Sequence, residues 1–588
     1  RSRGLGDVYK RQPYGVPPFS DIENSDYLPA IKKAILEMRD EIQAIVSNSE
    51  EPTFANTIVA LELAGQSLNK VSRTFGNITG TDTDEELRSL ETEIYPMLTR
   101  EYDAISLNEV LYDRVKKVYD SRESLGLNEQ DSRLLELTHR SFIRSGAAFS
   151  PDVKSKIASI NEEISGLTTK FAQNLLLETK AFRLELKSDE EVSGLSDDFK
   201  SAIWDEEKEA WVVGLNRSSY ESFMVQSNNR SLREKLFNGY RLRATQGDRD
   251  NGPIAIQIAK LRAERAELMG YESHAHYVLE YNMAKSPQGA EDFLLKVWAP
   301  GLEQAKKERA DMQAMLAGET FQAWDWWHLA EKLRLQRYEL DENQTKPYFK
   351  LENVQAGAFA MAEKLFGLSF EEVDVEGWNP VVVSFDVKDR EGKHLGLFMT
   401  DMYARDSKRG GAWMSSYRGT SNINDDPIRP LITNNMNLSM PPDGEPTLMR
   451  YSEVETLFHE FGHGLHGLMT QIDYPTFSGV DGPRDYTEFP AQILEHWVNQ
   501  PEMLEMYATH FETGDVIPAE LVEKIRVAGN HNQGFYTTEY VAASLLDLAW
   551  HSLSSDEVAE ITDARTFEKE VLEGYGLIPE IEPRYRSQ

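Results

Sequence analysis

The 588-residue sequence contains no cysteine, so disulfides, thiolate metal ligands and a cysteine nucleophile are all excluded. Basic residues are outnumbered: 63 Lys and Arg against 98 Asp and Glu give a formal net charge of −35. This charge argues against nucleic acids and anionic membrane surfaces as partners. No apolar run approaches the roughly 20 residues that span a bilayer. The lack of cysteine does not fix the compartment, because both reducing and oxidising compartments tolerate it.

The length suffices for about three to four domains or one large multi-lobed protein, and 40% hydrophobic residues allow a sizeable core. The opening residues 1–12, RSRGLGDVYKRQ, have neither an apolar stretch nor a helical pattern. They therefore predict a non-native leader and not a signal peptide. The rest divides into two predicted regions, residues 13–220 and 221–588.

Helical signals dominate the chain. The most regular one starts at Ser150, which can cap a helix, with Pro151 at the first helical position and Asp152 complementing the helix dipole. Apolar residues then recur at spacings of three and four: Val153, Ile157, Ile160, Ile164, Leu167, Phe171 and Leu175. This stripe predicts a helix of about six turns. Further helices are predicted over 25–48, 84–121 and 288–317.

Strand signals are few. Residues 381–389 and 394–404 flank REGK and predict a hairpin, and short strands are predicted at 210–215 and 430–439. The polar stretch 187–201 predicts a loop. We therefore expect a mainly helical protein with a small β-sheet just before residues 459–466.

Those residues, HEFGHGLH, carry the clearest chemical signal. His459 and His463 are four apart, so on a helix they share one face and can bind one metal ion. Glu460 lies about 100° around the helix, where it can act as general base for a metal-bound water. His466 is also near this face, but three ligands from one short helix rarely satisfy a tetrahedral site. The metzincin pattern fails as well, so we interpret His466 as a supporting or packing residue.

The third ligand should then be a carboxylate downstream. The candidates are Asp473, Asp481, Asp485, Glu488 and Glu495. Glu488 and Glu495 lie two turns apart on one predicted helix face, so either could ligate while the other orients a histidine. Glu455, one turn before His459, could accept a hydrogen bond from the free ring N–H of that histidine.

The stretches YSEVETLFHEFGHGLHGL and TFSGVDGPRDYTEFPAQILEHW resemble the thimet-oligopeptidase-like zinc peptidases. The match is nearest to the bacterial peptidyl-dipeptidase branch and covers essentially residues 13–588. It implies that Glu488 joins His459 and His463 on one zinc ion, with Glu460 as general base. It also implies two helical lobes around a deep channel, and a monomer that releases dipeptides from the C-termini of short peptides or, alternatively, cuts them internally.

In such enzymes an edge strand before the metal helix pairs with the peptide. The strand at 430–439 falls at that place, so Ile432, Asn434 and Asn435 are candidate substrate contacts. The family's oxyanion-stabilising tyrosine and histidine side chains follow the motif GLIPEIxPRYRS, and this sequence stops at Gln588. We do not transfer that role to Tyr536 or Tyr540. The resemblance therefore predicts a chain cut at both ends that binds zinc and is impaired as a peptidase. Cytoplasmic and periplasmic members both exist in such families, so the resemblance leaves the compartment open.

Overall fold

A computed structural model describes residues 13–423, 427–442, 444–583 and 585. The predicted leader, residues 1–12, lies outside this range. Among the described residues, no helix is both long enough and apolar enough to span a bilayer. Contacts group the chain into two units: Arg1–Ala158 with Glu342–Pro518, and Ser159–Asp341 with Ala519–Gln588. The sequence-based division at residue 220 and the channel between lobes stay predictions.

Helices make up most of both units. In the first half of the chain they are α1 (Asn24–Val46), α2 (Ala60–Leu63), α3 (Gln66–Thr81), α4 (Glu85–Ser106), α5 (Glu109–Asp120), α6 (Glu129–Ser145), α7 (Pro151–Ala181), α8 (Asp197–Ala202), α9 (Arg217–Gln226), α10 (Arg230–Arg241), α11 (Gly252–Leu268) and α12 (His274–Leu279). In the second half they are α13 (Pro287–Ala314), α14 (Trp326–Tyr338), α15 (Glu342–Thr345), α16 (Leu351–Phe366), α17 (Tyr451–Met469), α18 (Phe489–Glu495), α19 (Pro501–Tyr507), α20 (Ala519–Ala528), α21 (Gln533–Ser552), α22 (Ser555–Glu560) and α23 (Ala564–Gly574). The predicted mainly helical class is confirmed.

Two small sheets accompany the helices. The strands are β1 (Leu184–Leu186), β2 (Trp204–Asp205), β3 (Ala210–Val213), β4 (Ser369–Val373), β5 (Val383–Lys388), β6 (His394–Tyr403), β7 (Trp413–Arg418) and β8 (Leu431–Leu438). The first three form a sheet in the order β1-β3-β2, and the others form a five-stranded sheet in the order β4-β5-β6-β8-β7. The predicted hairpin is confirmed, since β5 pairs antiparallel with β6.

Helix ends follow local side-chain chemistry. The predicted helices over 25–48, 150 onward and 288–317 are confirmed by α1, α7 and α13. The single helix predicted over 84–121 is wrong, because it is broken into α4 and α5. At the break, the side-chain Oδ1 of Asn108 accepts the backbone N–H of Leu111 at 3.0 Å and starts a new helix. The loop predicted over 187–201 gives way to α8, which Ser196 caps.

The edge-strand assignment of 430–439 is also wrong. This segment forms β8, which pairs in parallel with β6 and antiparallel with β7. Both hydrogen-bonding edges of β8 are therefore used, and Ile432, Asn434 and Asn435 are buried inside the sheet. The edge of the sheet on this side is β7, a strand that the sequence patterns did not predict.

In the first unit the five-stranded sheet supports α17. The rings of Phe398 on β6 and Phe461 on α17 lie 5.7 Å apart, and both side chains are fully buried. A separate core of the N-terminal helices encloses Ile31, Phe75 and Ile94. The sheet thus fixes the distance of α17 from the sheet face and the rotation of this helix, which carries the HEFGH residues.

The second unit has its own core. Buried apolar residues on α13 and α21, among them Trp298, Leu302 and Leu545, form one cluster with residues of α11 and α23. A second cluster lies around β1, β3, α9 and α10, where Leu184, Val213 and Phe223 are completely buried.

Candidate metal centre

Helix α17 presents the two motif histidines on one face. Its apolar stripe, which includes Val454, Phe458 and Phe461, is buried against the rest of the first unit. At the start of the helix, Oε2 of Glu453 accepts the backbone N–H of Arg450 at 2.8 Å, and Oε1 of Glu453 accepts from the Arg450 guanidinium at 2.8 Å. These contacts fix the rotation of the helix, so that the rings of His459 and His463 lie 4.9 Å apart and nearly perpendicular.

Two acids of the site lie at the two ends of α18. Glu488 directly precedes this helix and Glu495 ends it. The two helices approach closely at Gly462: a Cβ atom there would lie 2.6 Å from Pro490 O and 2.6 Å from Ala491 Cα. Only glycine permits this contact, so Gly462 sets the distance between the histidines and the acids.

Three ligand atoms converge between these helices. The Oε2 of Glu488 lies 3.2 Å from Nε2 of His459 and 3.4 Å from Nε2 of His463. One ligand atom from each residue falls in a single group within 4.8 Å, the pattern of a metal site. Two donors about 2.0–2.1 Å from one tetrahedral ion are about 3.3 Å apart, so the spacing fits such an ion.

The protonation of His459 strengthens this interpretation. Its Nδ1 lies 2.7 Å from Oε1 of Glu495, and because a carboxylate only accepts, Nδ1 must donate. In the neutral ring, Nε2 then turns a lone pair toward the carboxylate oxygen of Glu488. Two lone pairs at 3.2 Å repel each other unless a proton or a metal ion lies between them, and two imidazoles with one carboxylate are a donor set that fits a metal ion.

Glu495 also takes the place that the sequence suggested for Glu455. The hydrogen bond from Nδ1 of His459 goes to Glu495, not to the glutamate one turn earlier. Glu455 stands beside Glu495 instead: burial, and then the charge of Glu495, raise the pKa of Glu455 to about 7. Of the two near-equal acids, Glu488 faces both Nε2 atoms and Glu495 orients His459.

Glu460 lies beside the ligand group in a dry environment. The residue is 6% exposed. Burial raises the pKa of Glu460 to about 7, the negative charge of Glu488 adds to this, and His459 and the backbone N–H of Met414 oppose it. Within the described part of the chain, Oε2 of Glu460 has no hydrogen-bond partner. A buried oxygen without a partner is costly unless it serves a bound water or substrate.

His466 lies apart from the ligand group. The group found among the described residues consists of His459, His463 and Glu488. The His466 ring faces Tyr486, with centroids 6.4 Å apart. Of the other acids considered, Asp481 pairs with Arg73 at 3.5 Å, and neither Asp473 nor Asp485 belongs to the group.

Sequence reasoning missed one neighbour of the site. Met414, on the edge strand β7, turns its backbone N–H to Glu460, and its side chain lies near Gly467 on α17. The strand is short and its sequence, WMSSYR, lacks the branched residues that mark strands. The two glycines just before it, Gly410 and Gly411, were the available signal for a break before a new element.

Comparisons with known proteins identify the family of the chain. The model of peptidase family M3 matches residues 223–587. The dipeptidyl carboxypeptidase of Salmonella typhimurium is 37% identical, over 98% of this chain and 86% of its own length. Oligopeptidase A of the same organism is 29% identical, over 92% of this chain and 82% of its own.

Among solved structures, PZ peptidase A with inhibitor 2 has a TM-score of 0.53 at 13% identity, over 96% of this chain and 82% of that one. This likeness shows a shared fold. The family match and the 37% identical relative, each over most of the chain, show more: this chain belongs to peptidase family M3 and is a metallopeptidase.

Proposed function

We propose that this chain is a zinc peptidase that hydrolyses short peptides and releases dipeptides from their C-termini. The observation that carries the proposal is the convergence of His459, His463 and Glu488 next to the buried carboxylate of Glu460. The name of the 37% identical relative, dipeptidyl carboxypeptidase, supports the choice of product.

The donor set favours zinc among the common metals. Two imidazoles and one carboxylate are the ligands of catalytic zinc sites that keep an open position. Zinc, when bound, lowers the pKa of a water and polarises a carbonyl oxygen. The hydrogen bond from His459 to Glu495 keeps the proton on Nδ1 and leaves Nε2 to the metal.

Glu460 is the proposed proton carrier. With a pKa of about 7, its carboxylate can take the proton of the attacking water and give it to the leaving amine near neutral pH. The carboxylate cannot be replaced by an amide in this role, because an amide does not exchange a proton under these conditions.

Substrate positioning is proposed to involve the edge strand β7. Its outward backbone carbonyl at Met414, next to Glu460, can pair with an extended peptide, the usual way in which sheets recognise peptides. This moves the proposed contact from the buried residues of β8 to Met414.

The test compares peptides with free and amidated C-termini. We expect the zinc-loaded chain to release successive dipeptides from free C-termini and to lose this activity on amidation. Zinc content and peptide binding are measured beside cleavage, so that loss of the metal and loss of turnover can be told apart. Internal cuts that ignore amidation would favour an endopeptidase, as the similarity to oligopeptidase A allows.

A variant pair tests the mechanism. Glu460→Gln should keep zinc and peptide binding and lose turnover, whereas Glu502→Gln, at an exposed glutamate on α19, should behave as wild type. If Glu460→Gln cleaves at the wild-type rate, the proposed proton carrier is wrong. If the wild-type chain binds peptide and never cleaves it, a binding protein without catalysis replaces the peptidase.

A further inference from the structure

Helix α3 lies along the outer edge of β7. The Nδ2 of Asn77 donates to the backbone carbonyl of Ser416 at 3.1 Å, and Ser415 Oγ donates to Oδ1 of Asn77. One turn earlier, Nη1 of Arg73 donates to Ser416 Oγ at 2.7 Å. We call Arg73 and Asn77 the edge cap.

The edge cap covers only part of the strand. Along a β-strand, the backbone groups of alternate residues point to the same side. Because the carbonyl of Ser416 meets the edge cap on the outer side, the N–H and C=O of Met414 point outward too. Met414 faces Glu460, and the bonds of the edge cap begin at Ser415. The N–H of Met414 already faces Glu460, so the outward carbonyl of Met414 is the group beside the site with which a peptide N–H can pair.

The chemistry of the cap resembles that of a bound peptide. A side-chain carboxamide has the same donor and acceptor as a peptide group. In donating to the carbonyl of Ser416, Asn77 makes the hydrogen bond that the next N–H of an added strand would make. A peptide that pairs with Met414 thus meets an occupied acceptor two residues further along, at about 3.3–3.4 Å per residue.

We infer that Asn77 is a specificity-determining residue, which limits strand pairing of the substrate to Met414 and makes the peptide leave the sheet before Ser416. The inference rests on the proposed function. It implies that peptide length beyond this point adds no affinity at one end of the substrate. A residue that only protects a sheet edge from aggregation would not change how affinity depends on peptide length.

The experiment measures binding as a function of peptide length. Zinc-loaded protein carrying Glu460→Gln, which prevents turnover, is titrated with alanine peptides extended one residue at a time at either end. Asn77→Ala and Asn77→Asp remove the donor to Ser416, and Asn69→Ala, an exposed residue two turns earlier on α3, is the matched control. Thermal unfolding checks that each variant is folded.

We expect affinity to level off with length in the parent and in Asn69→Ala. In both Asn77 variants, longer peptides should gain about 3- to 10-fold in affinity at one end, the effect of one or two net hydrogen bonds. If the folded Asn77 variants level off at the same length as Asn69→Ala, the inference is overturned. If the parent binds no peptide at any length, the proposed function is wrong. That outcome differs from the one that overturns the inference about Asn77.

Discussion

Gly462→Ala tests the geometry of the centre most directly. The added Cβ would lie 2.6 Å from two backbone atoms of α18, Pro490 O and Ala491 Cα. Ordinary contact needs about 3.4 Å, so α18 must shift by about 0.8 Å, and Glu488 at its start shifts with it. Metal sites tolerate about 0.2 Å in ligand distance. We therefore expect zinc affinity to fall by about 100-fold or more, beyond the range usual for the loss of an outer hydrogen bond.

Gly464→Ala provides the matched control on the same helix. It gains the same helix propensity, about 1 kcal/mol, but its Cβ would meet the side chains of Phe398 at 3.1 Å and Asn434 at 3.3 Å and not the backbone of α18. The assay is competition for zinc against a chelating indicator, with circular dichroism as a check on folding. Wild-type affinity in folded Gly462→Ala would refute the claim that this glycine sets the ligand distance.

Two further predictions concern the groups around the site. Glu495→Gln removes the carboxylate that accepts the Nδ1 proton of His459, so zinc affinity should fall about 10-fold in the same competition assay; an unchanged value would mean that Glu495 does not tune the ligand. Lys408→Met leaves the buried Asp401, which its ammonium contacts at 2.8 Å, with less compensation. Urea unfolding should show a loss of about 3–5 kcal/mol, and the double variant with Asp401→Asn should recover part of it; no loss in the single variant would contradict the argument.

The parts of the site that are local in sequence were predictable. The i, i+4 spacing places His459 and His463 on one helix face whatever the rest of the chain does, and Glu488 lies only 25 residues beyond His463. The choice between Glu488 and Glu495 could not be made from spacing, because both lie on the same face of the helix that the sequence predicts. The close approach of α17 and α18 at Gly462 decides which acid faces the histidines. This contact between two helices leaves no periodic pattern in the sequence.

The sheet was predicted less well for a related reason. Strand existence follows from local patterns, and both strands of the hairpin are present. Strand order depends on pairing between distant segments, here β6 with β8 and β8 with β7. A buried strand such as β8 and an edge strand such as β7 differ mainly in what lies beside them, so Asn434 gave no sign in the sequence that it lies inside the sheet.

The edge cap has a consequence for how the protein is made. Asn77 and Ser416 are 339 positions apart in the chain, and at 5–20 residues per second the ribosome needs roughly 17–70 s to cover that interval. The buried residues of the N-terminal core, by contrast, all lie between Tyr27 and Leu98. A nascent chain can therefore form this core early. Until β7 is synthesised, the polar face of α3 that carries Asn77 is exposed to solvent. Proposed substrate selection is thus acquired late in synthesis, long after the helix that provides it is folded.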